Sequence, residues 1–175
     1  LTTAYAFFVI HLQTRKVILS RATFSPTNQW LNQQIRHVLW ACEDQNIEPR
    51  FFLRDNDMLY PKGMDAILES SGVDTITTPF GAPNANAHSE RYVLSCKRNC
   101  LNHLLIFGLN RLQYVLDFYT LYFNEHRPHQ GIGNRIPAEY NVAGKQQGSK
   151  VRMNITARNV ERKDFLGGLL KSYRR

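Results

Sequence analysis

The chain opens on an apolar run, "AYAFFVIHL" (4–12), and after "TRK" enters a second, "VILSRATF" (17–24). Two β-rich runs around a short polar turn predict an antiparallel hairpin with one largely buried strand. "SPT" follows, with Ser25 or Thr27 as N-cap, and Trp30, Leu31, Ile35, Val38, Leu39 and Cys42 then recur among Gln, Asn, Arg and His. That spacing predicts an amphipathic helix over 27–45. "PRFFLRDND" (49–57) reads as a short strand ending in acids, and "KGMDAILESSG" (62–72) as a helix closed by Gly72. "VDTITTPF" (73–80) reads as another strand. A Gly/Pro/Asn loop at 81–87 leads to a helix reaching about Leu105. A second helix starts near Leu109, with Leu112, Val115, Leu116, Tyr119 and Phe123 on one face, until Pro128, Gly131 and Gly133 break it.

The order is hairpin, helix, strand, helix, strand, helix, helix, a mixed α/β layout with helices against a small sheet. The strands on either side of the 27–45 helix are expected to pair through a right-handed crossover. From 141 onward the pattern reads as a polar linker and then a tail. Charge sharpens that division. Residues 1–144 hold 13 Lys/Arg against 12 Asp/Glu, whereas the last 31 residues hold nine against two. A nearly neutral body, 1–140, with a basic extension, 141–175, suggests an arm for a polyanion, nucleic acid above all, or else a solvated basic tail.

Three cysteines make no disulfide framework and point to a reducing interior. Cys96 and Cys100, one helical turn apart, could join His126 and His129 on zinc, but C-x3-C inside an apolar helix reads as packing and the spacings miss the common finger patterns. No stretch has the roughly 18 consecutive apolar residues of a membrane span, and "AYAFFVI" lacks the basic flank of a signal peptide.

The chemistry gathers around two acids. Asp55 falls at the C-terminal end of an apolar strand, where α/β sheets commonly meet ligands. Glu90 follows after 34 intervening residues, at the start of a helix behind the 81–87 loop. Two carboxylates on separate rigid elements suit a hard cation such as Mg²⁺, which takes one or two carboxylates and keeps several waters. A pair of such ions can clamp the attacking and leaving oxygens of an in-line phosphoryl displacement. Lys97 lies seven residues past Glu90, two helical turns along the same face and about 10 Å away. Taken singly, each has a plainer reading: a strand-end turn residue, a helix-dipole glutamate, a solvated lysine.

As a set, these residues resemble the catalytic core of the retroviral-integrase-like DDE transposases, specifically the integrase cores of bacterial insertion sequences. In that family the second Asp ends a strand, the Glu follows after 34 or 35 residues, a Pro precedes it by seven (here Pro83) and a Lys or Arg follows by seven (Lys97). D-x4-[FY] is matched from Asp55 to Tyr60, which favours Asp55 over its rival Asp57. The family's Y-N-x2-R-P-H signature is matched by "FNEHRPH", with Asn124, Arg127, Pro128 and His129 in place and Phe123 where Tyr is usual. The resemblance covers about 4–140, and "LGGLLKSYRR" also looks like the end of such proteins.

The resemblance implies an RNase H-like core in which Asp55 and Glu90 hold two Mg²⁺ (or Mn²⁺) and act on double-stranded DNA by phosphodiester hydrolysis and strand transfer. Lys97 would meet DNA. Asn86 and His88 would be DNA-end contacts or capping residues, and Arg91 would bind phosphate or pair with a surface acid. Arg127 and His129 would fix the turn against the active-site helix, and Asn124 with them would be a structural residue close to DNA. A homo-oligomer on DNA and a cytoplasmic, nucleoid-associated location follow by the same analogy. One part of the pattern is missing. The family's first Asp belongs on the opening strand, yet the first acid here is Glu43. His11 is a poor substitute for an oxygen ligand. The first strand and its Asp are therefore expected upstream of Leu1, leaving β-strand 4–12 with an unpaired edge and this chain inactive by itself. The alternatives are a transposase remnant that binds DNA at most, and an RNase H-type nuclease, against which "FNEHRPH" and Lys97 argue.

Overall fold

The computed structural model describes residues 2–55, 60, 62–78, 86–140 and 160–174. The expected hairpin forms from β1 (Tyr5–Ile10) and β2 (Val17–Thr23), antiparallel, with Ile10 opposite Val17 and a bulge between the Ala6 and Phe8 pairings. Its turn is tied by backbone bonds from His11 N to Lys16 O and from Arg15 N to His11 O, both 2.8 Å. α1 (Asn28–Asp44) is capped by Thr27, whose hydroxyl accepts from Trp30 N at 3.1 Å. Gln34 breaks the expected apolar stripe and is buried with it. Its side-chain carbonyl accepts from the Ser20 hydroxyl and from Arg21 N, and its amide donates to Trp30 O at 3.0 Å, so every polar atom has a partner.

β3 (Phe51–Arg54), α2 (Lys62–Ser70) and β4 (Asp74–Thr77) form a β–α–β unit, with β3 parallel to β4 and Leu53 opposite Ile76. Gly72 supplies the left-handed residue after α2, at φ +75°. The expected pairing of the strands flanking α1 is not made. Among the described residues β2 pairs only with β1, and β3 only with β4, giving separate two-stranded sheets. The short α2 crossover fixes the partner of β3, and no ladder crosses back to the hairpin.

α3 (Ala87–Asn99) stops sooner than its periodicity suggests. Cys100 leaves the helical region at φ −136°, ψ −71°, a 3-10 turn covers Leu101–His103, and the His103 ring bonds the Arg98 carbonyl at 2.8 Å. α4 (Gly108–Glu125), which begins at a second left-handed glycine, buries Val115, Leu116, Tyr119 and Phe123 as expected.

β1 divides the core. Successive strand residues face opposite ways, and accordingly Phe7 packs with Leu31, Ile35, Met64, Leu68 and Val73 of the α1/α2 side. Phe8 and Ile10 pack with Tyr92, Cys96, Val115 and Tyr119 of the α3/α4 side. The region read as a linker and solvated basic tail holds more order than that. β5 (Glu161–Phe165) and β6 (Leu170–Arg174) make an antiparallel hairpin. Phe165 and Leu170 are buried in the α3/α4 cluster, and Phe165 lies 5.8 Å from the Tyr122 ring. No described helix is long and apolar enough to cross a membrane.

Candidate catalytic and nucleic-acid site

Asp55 is the residue immediately after β3, where the parallel ladder with β4 ends. It is half-buried, and its Oδ1 has no solvent access and no hydrogen-bond partner among the described residues. The neighbouring cation does not neutralise it. The Arg54 guanidinium ion-pairs with Asp65 at 3.0 Å, lies 5.4 Å over the Tyr60 ring, and reaches only the backbone oxygen of Asp55, at 3.3 Å. A buried, unpaired carboxylate oxygen is costly unless a donor or cation meets it. A hard cation, which prefers carboxylate oxygen, fits such a group. Asp57 and Pro83 lie outside the described residues.

Glu90 stands in the first turn of α3, exposed, where the helix N-terminus favours a carboxylate. Its N–H donates to Asn86 O at 3.1 Å, closing the first helical turn. Asn86 occupies the N-cap position, yet its side chain makes no capping bond. His88 and Arg91 are exposed on the same turn. The His88 pKa is lowered by burial first, then by the charges of Arg15 and Arg91. Farther along, Leu94 and Lys97 are exposed on the face of Glu90. No described acid pairs with Arg91 or Lys97. Among the described residues, no three His, Cys, Asp or Glu side chains gather closely enough to hold a metal ion.

Behind α3 lies a polar frame. Ser95 Oγ and Tyr119 OH are 2.7 Å apart, and Arg127 Nη1 donates to the same phenol at 3.2 Å. The Arg127 guanidinium also covers the Phe123 ring, 5.6 Å from its centroid. His129 sets its ring edgewise on Phe123 at 4.3 Å, with Nε2 3.0 Å from Phe123 O. Its pKa is lowered by burial, against a smaller raising effect of that backbone bond. Asn124 faces the other way and holds Val17 at the start of β2. These residues thus link α3, α4 and the turn that follows, and each has contacts that fix it. Cys96 and Cys100 lie in the core beneath, their thiols pushed up by burial to about 12 and about 11, so both stay protonated at neutral pH.

Sequence reasoning passed over Arg15, in the turn between β1 and β2. It sits at φ +65°, and its guanidinium lies against Gly131 in the turn after α4. The available signal was an arginine, rather than Gly or Asn, at a turn position that requires positive φ.

Residues 71–137, less than half of the chain, match the family described as Integrase core domain. That span includes Glu90, Lys97 and "FNEHRPH" and excludes Asp55. No curated protein matches the chain in sequence. Among solved structures, the fold is similar to a chain of the simian T-cell lymphotropic virus intasome in complex with PP2A regulatory subunit B56 gamma, with a TM-score of 0.62 and 11% identity. The alignment covers 98% of this chain but 64% of that one. At that identity the likeness establishes the fold alone, a mixed α/β architecture shared with that chain.

Proposed function

We propose, from the match of residues 71–137 to the integrase core domain, that this chain is the catalytic-core part of a DDE transposase or integrase acting on double-stranded DNA. Supporting this most directly is Asp55 Oδ1, buried and unpaired at the end of β3. In this reading Asp55 and Glu90 hold Mg²⁺ or Mn²⁺, two ions in the complete site, and the metal supplies charge neutralisation at the attacking and leaving oxygens of a phosphodiester. Asp55 contributes a carboxylate positioned by the strand and partly shielded from water. Glu90 contributes one from the first turn of α3. Lys97, Asn86, His88 and Arg91 contact DNA from α3, Arg127 and His129 hold α3 and the turn after α4 in place beside it, and Asn124 ties α4 to the start of β2.

The reaction is hydrolysis followed by transfer. Water attacks a phosphodiester at the element's end, the P–O3′ bond breaks, and the freed 3′-hydroxyl then attacks a target phosphodiester with loss of its own 3′-oxygen leaving group. By family analogy, joining two ends takes at least a dimer. Residues 141–175 form the basic extension of the 1–140 core, anchored by Phe165 and Leu170, and add phosphate contacts.

The first acid of the triad belongs to a strand between β1 and β3. Phe7 of β1 and Phe52 of β3 pack in one cluster on α1 and α2, yet no backbone ladder joins their strands. A strand carrying Asp in that position would pair with both edges and complete the acids. Without a third carboxylate the chain binds DNA and does not cut it, which is also what a transposase remnant would do.

Mn²⁺ titration followed by electron paramagnetic resonance tests the metal site directly. The chain should bind Mn²⁺, and Asp55→Asn and Glu90→Gln should each weaken binding at least tenfold, since even the loss of a residue that merely supports a ligand costs about ten- to hundredfold. Equal affinity in all three proteins would overturn the assignment. In the protein completed with the first acid, Glu90→Gln should abolish Mg²⁺-dependent cleavage and leave DNA binding intact.

A further inference from the structure

Arg15 has been built into an awkward place. A residue with a Cβ rarely adopts φ +65°, and the rest of the turn holds it there. Thr14 is buried, and its Oγ1 bonds His11 Nδ1 at 2.8 Å and accepts from Lys16 N at 3.2 Å. Gly or Asn would satisfy that backbone with less strain. What the arginine adds is its guanidinium, which spans from the hairpin tip to the turn after α4. A Cβ at Gly131 would lie 3.6 Å from both its Nε and Nη2.

The guanidinium has no ion-pair partner among the described residues. Its neighbours are cationic or basic. Its charge reaches His88 at the start of α3 and His129 after α4, and Arg91 and Arg127 act on the same two rings. A half-buried arginine whose charge falls on the same two rings as Arg91 and Arg127, with no described acid ion-paired to it, is electrostatically incomplete. A backbone phosphate completes it: two oxygens match the planar fork, and one negative charge offsets the cluster.

We propose that Arg15, at the tip of the β1–β2 turn, binds a DNA backbone phosphate lying between the start of α3 and the turn after α4. This rests on the reading of the chain as a DNA-acting core and deepens it, since it adds a contact from a third element beside Glu90. Arg15 is thus a binding residue that sets where the duplex lies on α3.

The test is fluorescence anisotropy of the 175-residue chain with a labelled random-sequence duplex across a potassium chloride series. Arg15→Gln should weaken binding roughly three- to tenfold and flatten the slope of log K against log salt by about 0.9, the value of one phosphate contact. Arg15→Lys should keep most of the slope, and Arg15→Gly should repeat the Gln result while remaining folded by circular dichroism, because glycine suits positive φ. Arg36→Gln, an exposed change on α1, should leave both quantities near wild type. Wild-type affinity and slope in Arg15→Gln and Arg15→Gly would overturn the proposal while leaving DNA binding standing. An equal loss in Arg36→Gln would overturn it too, by reducing the effect to net charge. A wild-type chain that binds no duplex at any salt would remove the DNA reading and this proposal together.

Discussion

Asn124 grips Val17 with both ends of its amide: Oδ1 accepts from Val17 N at 2.9 Å and Nδ2 donates to Val17 O at 2.8 Å. The two residues are 107 positions apart. Val17 is buried at the first position of β2, where its backbone groups would otherwise lack partners at the end of the ladder. The asparagine of "FNEHRPH" therefore closes the hairpin onto α4, a structural task within a motif associated with chemistry.

Replacing Asn124 by Leu leaves one donor and one acceptor of Val17 unmet in a part-buried setting. The expected cost is about 2–4 kcal/mol, by urea unfolding. Asn124→Asp, which keeps the acceptor and loses the donor, should fall between Leu and wild type. A Leu variant as stable as wild type would mean that water replaces the amide.

Phe165 gives a second prediction. It is 5% exposed, against Tyr122 and with its ring 4.7 Å from that of His126. Phe165→Ala should cost about 3 kcal/mol or more. A change within about 0.5 kcal/mol, the range of surface substitutions, would mean that the C-terminal hairpin is a solvated arm after all.

Stability should also fall as the medium turns acidic. His11, His88, His126 and His129 all have pKa values lowered by burial first, with nearby Lys or Arg charges adding to it. A histidine with a depressed folded-state pKa binds fewer protons folded than unfolded. Its contribution is therefore present above about 6.5 and lost as pH falls through the folded value. Urea midpoints should be lower near pH 5.5 than near pH 7.5, and His129→Gln should reduce the difference. A midpoint that rises on acidification would reverse the sign of this linkage.

The basic extension supplies a fourth prediction. Removing residues 145–175 takes away nine Lys/Arg and two acids. If the extension touches DNA, the salt slope should flatten by about 0.9 for every phosphate released. Because the deletion also removes Phe165 and Leu170, the measurement needs a parallel variant that keeps 160–175 and neutralises Lys145, Lys150, Arg152 and Arg158. An unchanged slope in that variant would place the DNA contacts elsewhere.

What could be read from sequence was local. The β1–β2 hairpin, α1 with its Thr27 cap, the Gly72 stop and the buried face of α4 each follow from periodicity and end signals within one element. The pairing of β3 was misjudged because strand partners are a long-range choice. The β5–β6 hairpin was hidden because "ERKDF" has no apolar alternation, and the residues that bury it, Phe165 and Leu170, flank the turn with Gly167 and Gly168. At the site, Asp55 and Glu90 stood out by spacing. Arg15 did not, since its role depends on Gly131, far away in sequence. The unpaired state of Asp55 Oδ1 is likewise visible only once Arg54 is seen to be engaged by Asp65.

Phe7 and Phe8 are neighbours in sequence but belong to opposite sides of β1, one packing toward α1 and α2 and the other toward α3 and α4. Substitutions deep in the two clusters share few contacts, so their effects on stability should simply add, as those of distant sites do. Drift on the α1/α2 side can thus accumulate without repacking around Tyr119, and the reverse. β1 is the exception: a change there is felt by both inheritances at once.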